Sequence, residues 1–316
     1  MKDRASFQTS VVKRKHFSLR KLIISVLIIA VTIAVLFFGI RFLISKYADY
    51  PTLSKVYNAW DNQNYTLVAD LTGKIISESP SDGTAWAYRG YSLFFLSVSE
   101  NDTSTARTYL EESIIALRMA MRNAPATLKP QVQYVLGKAY FHRNFLSSYH
   151  YYSDLAVYYL TEAEKNGINA DDIPEYLGLC YAQLSMPEES IAAFSEALFI
   201  HDTDELRFAI AEQYIKSNQN DTAKQYLFRI KSNTADEILQ IKACMLLADI
   251  YVSEGNYTDA YNEYQFILEK NPNNADAYYG IGIIYEMQGE TAKARAEWRK
   301  ALKIQGNHKG ALAKLG

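Results

Sequence analysis

Cysteine, proline and glycine are all scarce in this chain of 316 residues. Its two cysteines, Cys180 and Cys244, show no C-x-x-C spacing, which argues against a disulfide framework, a zinc ribbon or a thioredoxin-like centre. Seven prolines and 14 glycines are few breakers for this length. The long Ala/Leu/Glu/Tyr runs between them predict an all-α protein. Catalytic signatures are missing too: there is no G-x-S-x-G, no H-E-x-x-H, no EF-hand loop and no glycine-rich phosphate loop after a strand-like run. The five histidines are dispersed, and His142 and His150 share a segment without i, i+4 spacing or a third ligand. No catalytic, cofactor-binding or metal-binding residue is therefore assigned, and an enzyme is not expected.

Charge is nearly balanced at −2, but unevenly placed. Residues 1–21 hold seven Lys/Arg against Asp3, a local +6, which leaves −8 for the remainder. An acidic body argues against nucleic-acid binding. After the basic head comes Leu22–Ile40, 19 residues without a charge. A membrane crossing takes roughly 20 apolar residues, so residues 22–44 are expected to span a bilayer. A cleaved signal peptide is the rival, but its apolar core is usually about 7–15 residues and ends in a small-residue site, which ISKYADYPTL does not offer. Arg41, Lys46 and Lys55 follow the span, fewer than the seven basic residues before it. The more basic flank stays cytoplasmic, so the N-terminus is expected inside and the body outside.

The body repeats. Leu247, Ala248, Tyr251, Gly255, Ala260, Tyr264, Ile267 and Pro272 correspond to Ile281, Gly282, Tyr285, Gly289, Ala294, Trp298, Ala301 and Gly306, each at an offset of 34. The small residues let two helices approach closely, the aromatics fill the gap to the next unit, and Gly255 and Gly289 end a first helix. The pattern resembles the tetratricopeptide repeat. That resemblance implies a superhelical solenoid of antiparallel helix pairs over residues 49–306, preceded by one membrane helix and followed by a short tail at 307–316. Weaker units become readable in the same register, with starts near 49, 83, 130, 171, 204, 241 and 275. Two units carry insertions: about eleven residues around SVSENDTSTARTY, expected as a surface loop or as one with an added helical turn, and about seven within FHRNFLSSYHYYSD. HKGALAKLG at the end is too short for a full capping helix, so the last interface is expected to fray, the alternative being that a partner or second copy covers it. The cysteines fall in first helices about two repeats apart, too far to pair, and are expected as buried fillers.

In tetratricopeptide arrays the first helices line a concave groove, with positions two, five, nine and twelve facing it. The resemblance places Tyr57, Tyr91, Tyr134, Lys138, Glu175, Glu212, Asp249 and Tyr279 on that groove, aromatic near the span and acidic later. The Lys/Asn/Arg clamp of the chaperone-binding members is not present. Such a groove suits a peptide or helix with apolar anchors and some basic residues. Tyr149, Tyr151 and Tyr152 form a possible aromatic docking patch, the alternative being that they pack on the hairpin's own core. The expected role is a membrane-anchored scaffold or assembly factor. It would present its groove to protein or peptide partners of an envelope machine (secretion, outer-membrane, pilus or flagellar assembly) in the periplasm or another extracytoplasmic space. Alternatives are a receptor with repeats in the cytosol, or the substrate-recruiting part of an enzyme.

Overall fold

The computed structural model describes residues 19–48, 50–146 and 152–316. Within them lie sixteen helices and no strand. The chain divides into two compact units, one ending at Lys55 and one running from Val56 to Gly316.

The first unit contains α1 (Leu19–Ala48), a 30-residue helix. Its stretch Ile23–Phe42 has mean hydropathy 3.0 over 20 residues, about 30 Å of helix and enough to cross a hydrocarbon core. Thr32, one of the two hydroxyl residues within this stretch beside Ser25, donates back to the carbonyls of Ile28 and Ile29 at 3.0 and 2.8 Å. That hydroxyl is thereby paired within the helix rather than offered to lipid. Most of the basic head, residues 1–18, lies outside the described residues.

Fourteen further helices follow α2 (Leu53–Asp61) in chain order: α3 (Tyr65–Glu78), α4 (Gly83–Ser99), α5 (Thr103–Asn123), α6 (Lys129–Leu146), α7 (Ser153–Lys165), α8 (Ile173–Gln183), α9 (Pro187–Ile200), α10 (Asp204–Lys216), α11 (Asn220–Asn233), α12 (Glu237–Ser253), α13 (Tyr257–Lys270), α14 (Ala275–Met287), α15 (Thr291–Ile304) and α16 (Lys309–Leu315). From α3 onward each helix packs on the next, and α4, α6 and α8 also meet as neighbours, as do α12 and α14. This is a solenoid of helix pairs, built from contacts close in sequence.

One residue per pair sets the approach. A Cβ built on Gly90 would fall 2.5 Å from Leu117, on Gly137 2.7 Å from Leu160, on Gly178 2.5 Å from Phe194, and on Gly282 2.3 Å from Trp298. Those four partners sit on the second helix of the same pair and are buried. In two pairs the small residue's carbonyl is also bonded across the pair. Ser113 donates to the Gly90 carbonyl at 2.7 Å and Ser190 to the Gly178 carbonyl at 2.8 Å. Serine takes the place of the expected alanine there without leaving a buried hydroxyl unpaired.

The turn inside each pair has a second rule. Counted from residues 49, 171, 204, 241 and 275, the fifteenth residue has positive φ: Gln63 (55), Ser185 (58), Asn218 (57), Gly255 (74) and Gly289 (80). At each, the following amide returns to a carbonyl five residues back, as in Asn256 to Tyr251 at 2.8 Å and Gln219 to Tyr214 at 2.8 Å. This is the Schellman closure of a helix. It accepts residues other than glycine, at a conformational cost.

The structure differs from the sequence-based expectation at both ends of irregularity. The eleven extra residues near Glu100 are not a surface loop. They lengthen α4 to 17 and α5 to 21 residues, leaving only residues 100–102 between them. The physical reason is Asp102, which caps α5 by accepting from the Thr105 amide at 2.8 Å and turns a polar insertion into a helix start. The C-terminal stretch does not fray. It forms α16, whose Ala311 is buried with Ala294, Trp298 and Ala301. His308 caps it, Nδ1 accepting from the Ala311 amide at 3.0 Å and Nε2 lying 2.9 Å from Asp276 Oδ1. Cys180 and Cys244 are buried and unpaired, and burial pushes both thiols up to about 12, which keeps them protonated and unreactive.

Two variants separate the two rules. Gly282→Ala is expected to cost about 1–3 kcal/mol, because the methyl drives into the buried Trp298 ring. Ser185→Gly is expected to gain about 0.5–1 kcal/mol by relieving a left-handed serine. Urea denaturation followed by circular dichroism measures both; equal and opposite signs are not required, but a stabilised Gly282→Ala would refute the close-approach account.

Candidate functional site

The first helices of three successive pairs converge on a cleft of about 310 Å³. Trp60 contributes from α2, Tyr88, Tyr91 and Phe95 from α4, and Tyr134 and Lys138 from α6. These rings also pack on one another. Trp60 lies edge-on to Tyr88 at 5.5 Å and to Phe95 at 5.8 Å, and Tyr65 stacks on Phe95 at 4.8 Å. Tyr57 is 40% exposed and its ring sits 5.1 Å from Tyr88. Of the sequence-predicted groove residues, Tyr57, Tyr91, Tyr134 and Lys138 are thus brought together in one place.

Lys138 is already engaged. Its Nζ is 2.7 Å from Asp172 Oδ2 and donates to the Tyr134 hydroxyl at 3.2 Å. It also lies 5.0 Å from the ring centres of both Tyr134 and Tyr176. Tyr134 in turn donates to Asp172 at 2.7 and 2.9 Å. Burial, reinforced by Asp172, pushes the Tyr134 phenol up. Asp172 stands at the N-cap of α8 but makes no side-chain capping bond there; the ammonium and the phenol hold it instead. Nearby, His142 Nε2 is 3.3 Å from the Tyr176 hydroxyl. Burial first, then the Lys138 charge, pulls its imidazole down to about 4.

The remaining predicted residues divide. Asp249 and Tyr279 line a second cleft of about 300 Å³ with Asp276, Met245 and Ile283. Asp249 accepts from the Tyr264 hydroxyl at 3.0 Å. Its carboxyl is pushed up by burial and by Asp276, against the pull of that hydrogen bond. Glu175 and Glu212 are exposed on α8 and α10 and line neither cleft. In the predicted aromatic patch, Tyr149 and Tyr151 lie outside the described residues. Tyr152 is half-buried, stacked on Tyr140 at 6.0 Å and covered by the Arg143 guanidinium at 4.1 Å. It packs inward rather than standing free.

For Lys138 and His142, sequence reasoning missed the partners. Asp172 lies 34 residues from Lys138, one repeat on, and Tyr176 lies 34 from His142. Opposite charges one period apart would have flagged the first pair. Trp60 and Phe95 carried no signal beyond being aromatic. Among the described residues, no group of three or more His, Cys, Asp or Glu is placed to hold a metal.

A family model described as the tetratricopeptide repeat protein 21 C-terminal ARM domain matches residues 160–314. Comparison with curated proteins gives no match. Among solved structures, the C-terminal part of a tetratricopeptide repeat-containing protein from Cytophaga hutchinsonii superimposes with a TM-score of 0.58 at 13% identity, covering 84% of this chain and 100% of that one. A tetratricopeptide repeat protein from Parabacteroides merdae gives 0.51 at 20% identity, covering 72% of this chain and 87% of that one. At these identities the likeness is one of fold.

His142 yields a signed prediction. The unfolded imidazole takes a proton near 6.5, whereas the folded one resists until about 4. The unfolded state therefore binds more protons in that window, and stability falls as pH drops from about 6.5 towards 4. His142→Gln is expected to flatten this part of the profile. Thermal melts of both proteins at pH 7 and pH 4.5 measure it; an unchanged difference between the two pH values would remove His142 from the account.

Proposed function

We propose that this chain, whose fold is that of a tetratricopeptide-repeat solenoid, works as a membrane-anchored scaffold that holds protein partners outside the cytoplasm. The observation that carries the reading is the aromatic cleft lined by the first helices α2, α4 and α6. A mostly apolar concavity with a few polar groups is where a peptide anchor is best desolvated. The anchor is Ile23–Phe42, whose length and hydropathy suit a bilayer. The orientation rests on the seven Lys/Arg of residues 1–21, which favour a cytoplasmic N-terminus.

An extracytoplasmic scaffold on a single anchor suits the assembly of an envelope machine for secretion, outer-membrane, pilus or flagellar proteins. Partner choice would then come from two chemistries along one array. The aromatic cleft takes an apolar anchor, and the exposed carboxylates of Glu175 and Glu212, with Asp249, favour a basic flank.

Two measurements test this. A dual reporter fused after Gly316, one half active only outside the cytoplasm and one only inside, is expected to report outside. A signal from the cytosolic half would replace this reading with a cytosolic receptor. Proximity labelling from the same terminus is expected to lose partners when Glu175→Lys, Glu212→Lys and Asp249→Asn are combined, with the circular dichroism melt unchanged. A partner set indifferent to all three would rule out the acidic flank.

A further inference from the structure

The Tyr91 hydroxyl is buried and has no hydrogen-bond partner. Its residue is 4% exposed, and its ring forms part of the wall of the aromatic cleft. Burial, with the neighbouring Tyr88, pushes the phenol up, so it remains an O–H donor with nothing to donate to. An unpaired buried donor is costly, and such groups are uncommon in folded proteins. The rings of Trp60 and Tyr88 each lie 5.8 Å from that of Tyr91. The hydroxyl itself is closed off, so a guest has to displace a neighbouring side chain to reach it.

The other lining groups narrow the guest. No carboxylate lines the cleft, so a cationic guest finds only π faces and the nearby Lys138 charge. Lys138 is held by Asp172 at 2.7 Å, so an acidic guest finds no free cation. Aromatic walls, the neutral Gln131 amide at the rim and an unmatched donor are left, in about 310 Å³. That is at the small end of the roughly 300–1,000 Å³ of ligand sites and suits one side chain with its backbone better than a folded surface.

We propose that this cleft receives one large, uncharged apolar side chain of a partner peptide, and that the peptide's main-chain carbonyl accepts the hydrogen bond from Tyr91. This rests on reading the array as a partner-binding scaffold and specifies which part of it reads the partner, and by what chemistry. Specificity follows from the unmatched donor: a guest that fills the space without an acceptor leaves Tyr91 unpaired.

A random peptide library panned against the full chain in lipid nanodiscs tests the proposal. Selected peptides are expected to share one large apolar residue, and replacing it with alanine should weaken binding at least tenfold. Gln131 is an exposed residue of the cleft lining, so Gln131→Trp blocks the cleft from its rim and should abolish binding. Tyr91→Phe should weaken binding roughly tenfold while leaving the melting temperature of the free protein unchanged or higher, because it deletes an orphaned donor. A lowered melting temperature in Tyr91→Phe would mean that the hydroxyl has a partner within the fold, and the proposal fails. It fails equally if a trimethyl-lysine at the anchor position binds as well as the apolar residue. Peptides indifferent to both Gln131→Trp and Tyr91→Phe would overturn the cleft assignment and leave the scaffold reading standing. No selected peptide at all would overturn both.

Discussion

The close approach of two helices at one small residue is the constraint on which this structure depends. At Gly90, Gly137, Gly178 and Gly282 there is no room for even a methyl group beside Leu117, Leu160, Phe194 and Trp298. The large side chain opposite fills the space the small one vacates, so the pair locks as a knob in a hole. Once each pair is locked, its first helix sits beside the first helix of the next, as α4, α6 and α8 do. The clefts are the gaps left between those first helices. Their shape is therefore set at one remove, by residues that do not line them.

That layering explains what was legible in the sequence. The last two units show the 34-residue offset plainly, because Ala248 and Gly282, Tyr251 and Tyr285, Gly255 and Gly289 answer the same packing and turn demands. The left-handed turn is harder to read where Ser185, Asn218 and Gln63 fill it: none of them advertises positive φ as glycine does. The insertions misled for a different reason. A polar run such as Glu100–Thr103 reads as loop, yet one well-placed carboxylate at Asp102 makes it a helix boundary and lets both flanking helices grow. In those longer helices no left-handed residue intervenes, because Ser97 and Asn144 sit within α4 and α6.

The candidate site was legible by position and not by partnership. Counting within repeats brought Tyr91, Tyr134 and Lys138 to one cleft, because a solenoid returns the same face at every period. What counting could not give is which groups are already spent. Lys138 is consumed by Asp172 one repeat on, and Lys231 by Glu263 at 2.7 Å in the same manner. Such pairs knit neighbouring repeats and remove charge from the inventory of binding groups. Tyr91 shows the converse. A residue that reads as core aromatic carries the one lining hydroxyl that is buried without a partner.

The two clefts also show how one backbone rule yields different chemistry. Near α14 the polar groups are matched: Tyr264 donates to Asp249, and His308 meets Asp276. Matched groups stabilise the array and offer a newcomer their residual charge rather than an unmade hydrogen bond. Between α2, α4 and α6 the balance is reversed. Rings pack on rings, the single cation is held, and a donor is left over. A surface built from satisfied groups is scaffold, whereas one with an unmet donor in an apolar recess stores the free energy that a matching guest recovers.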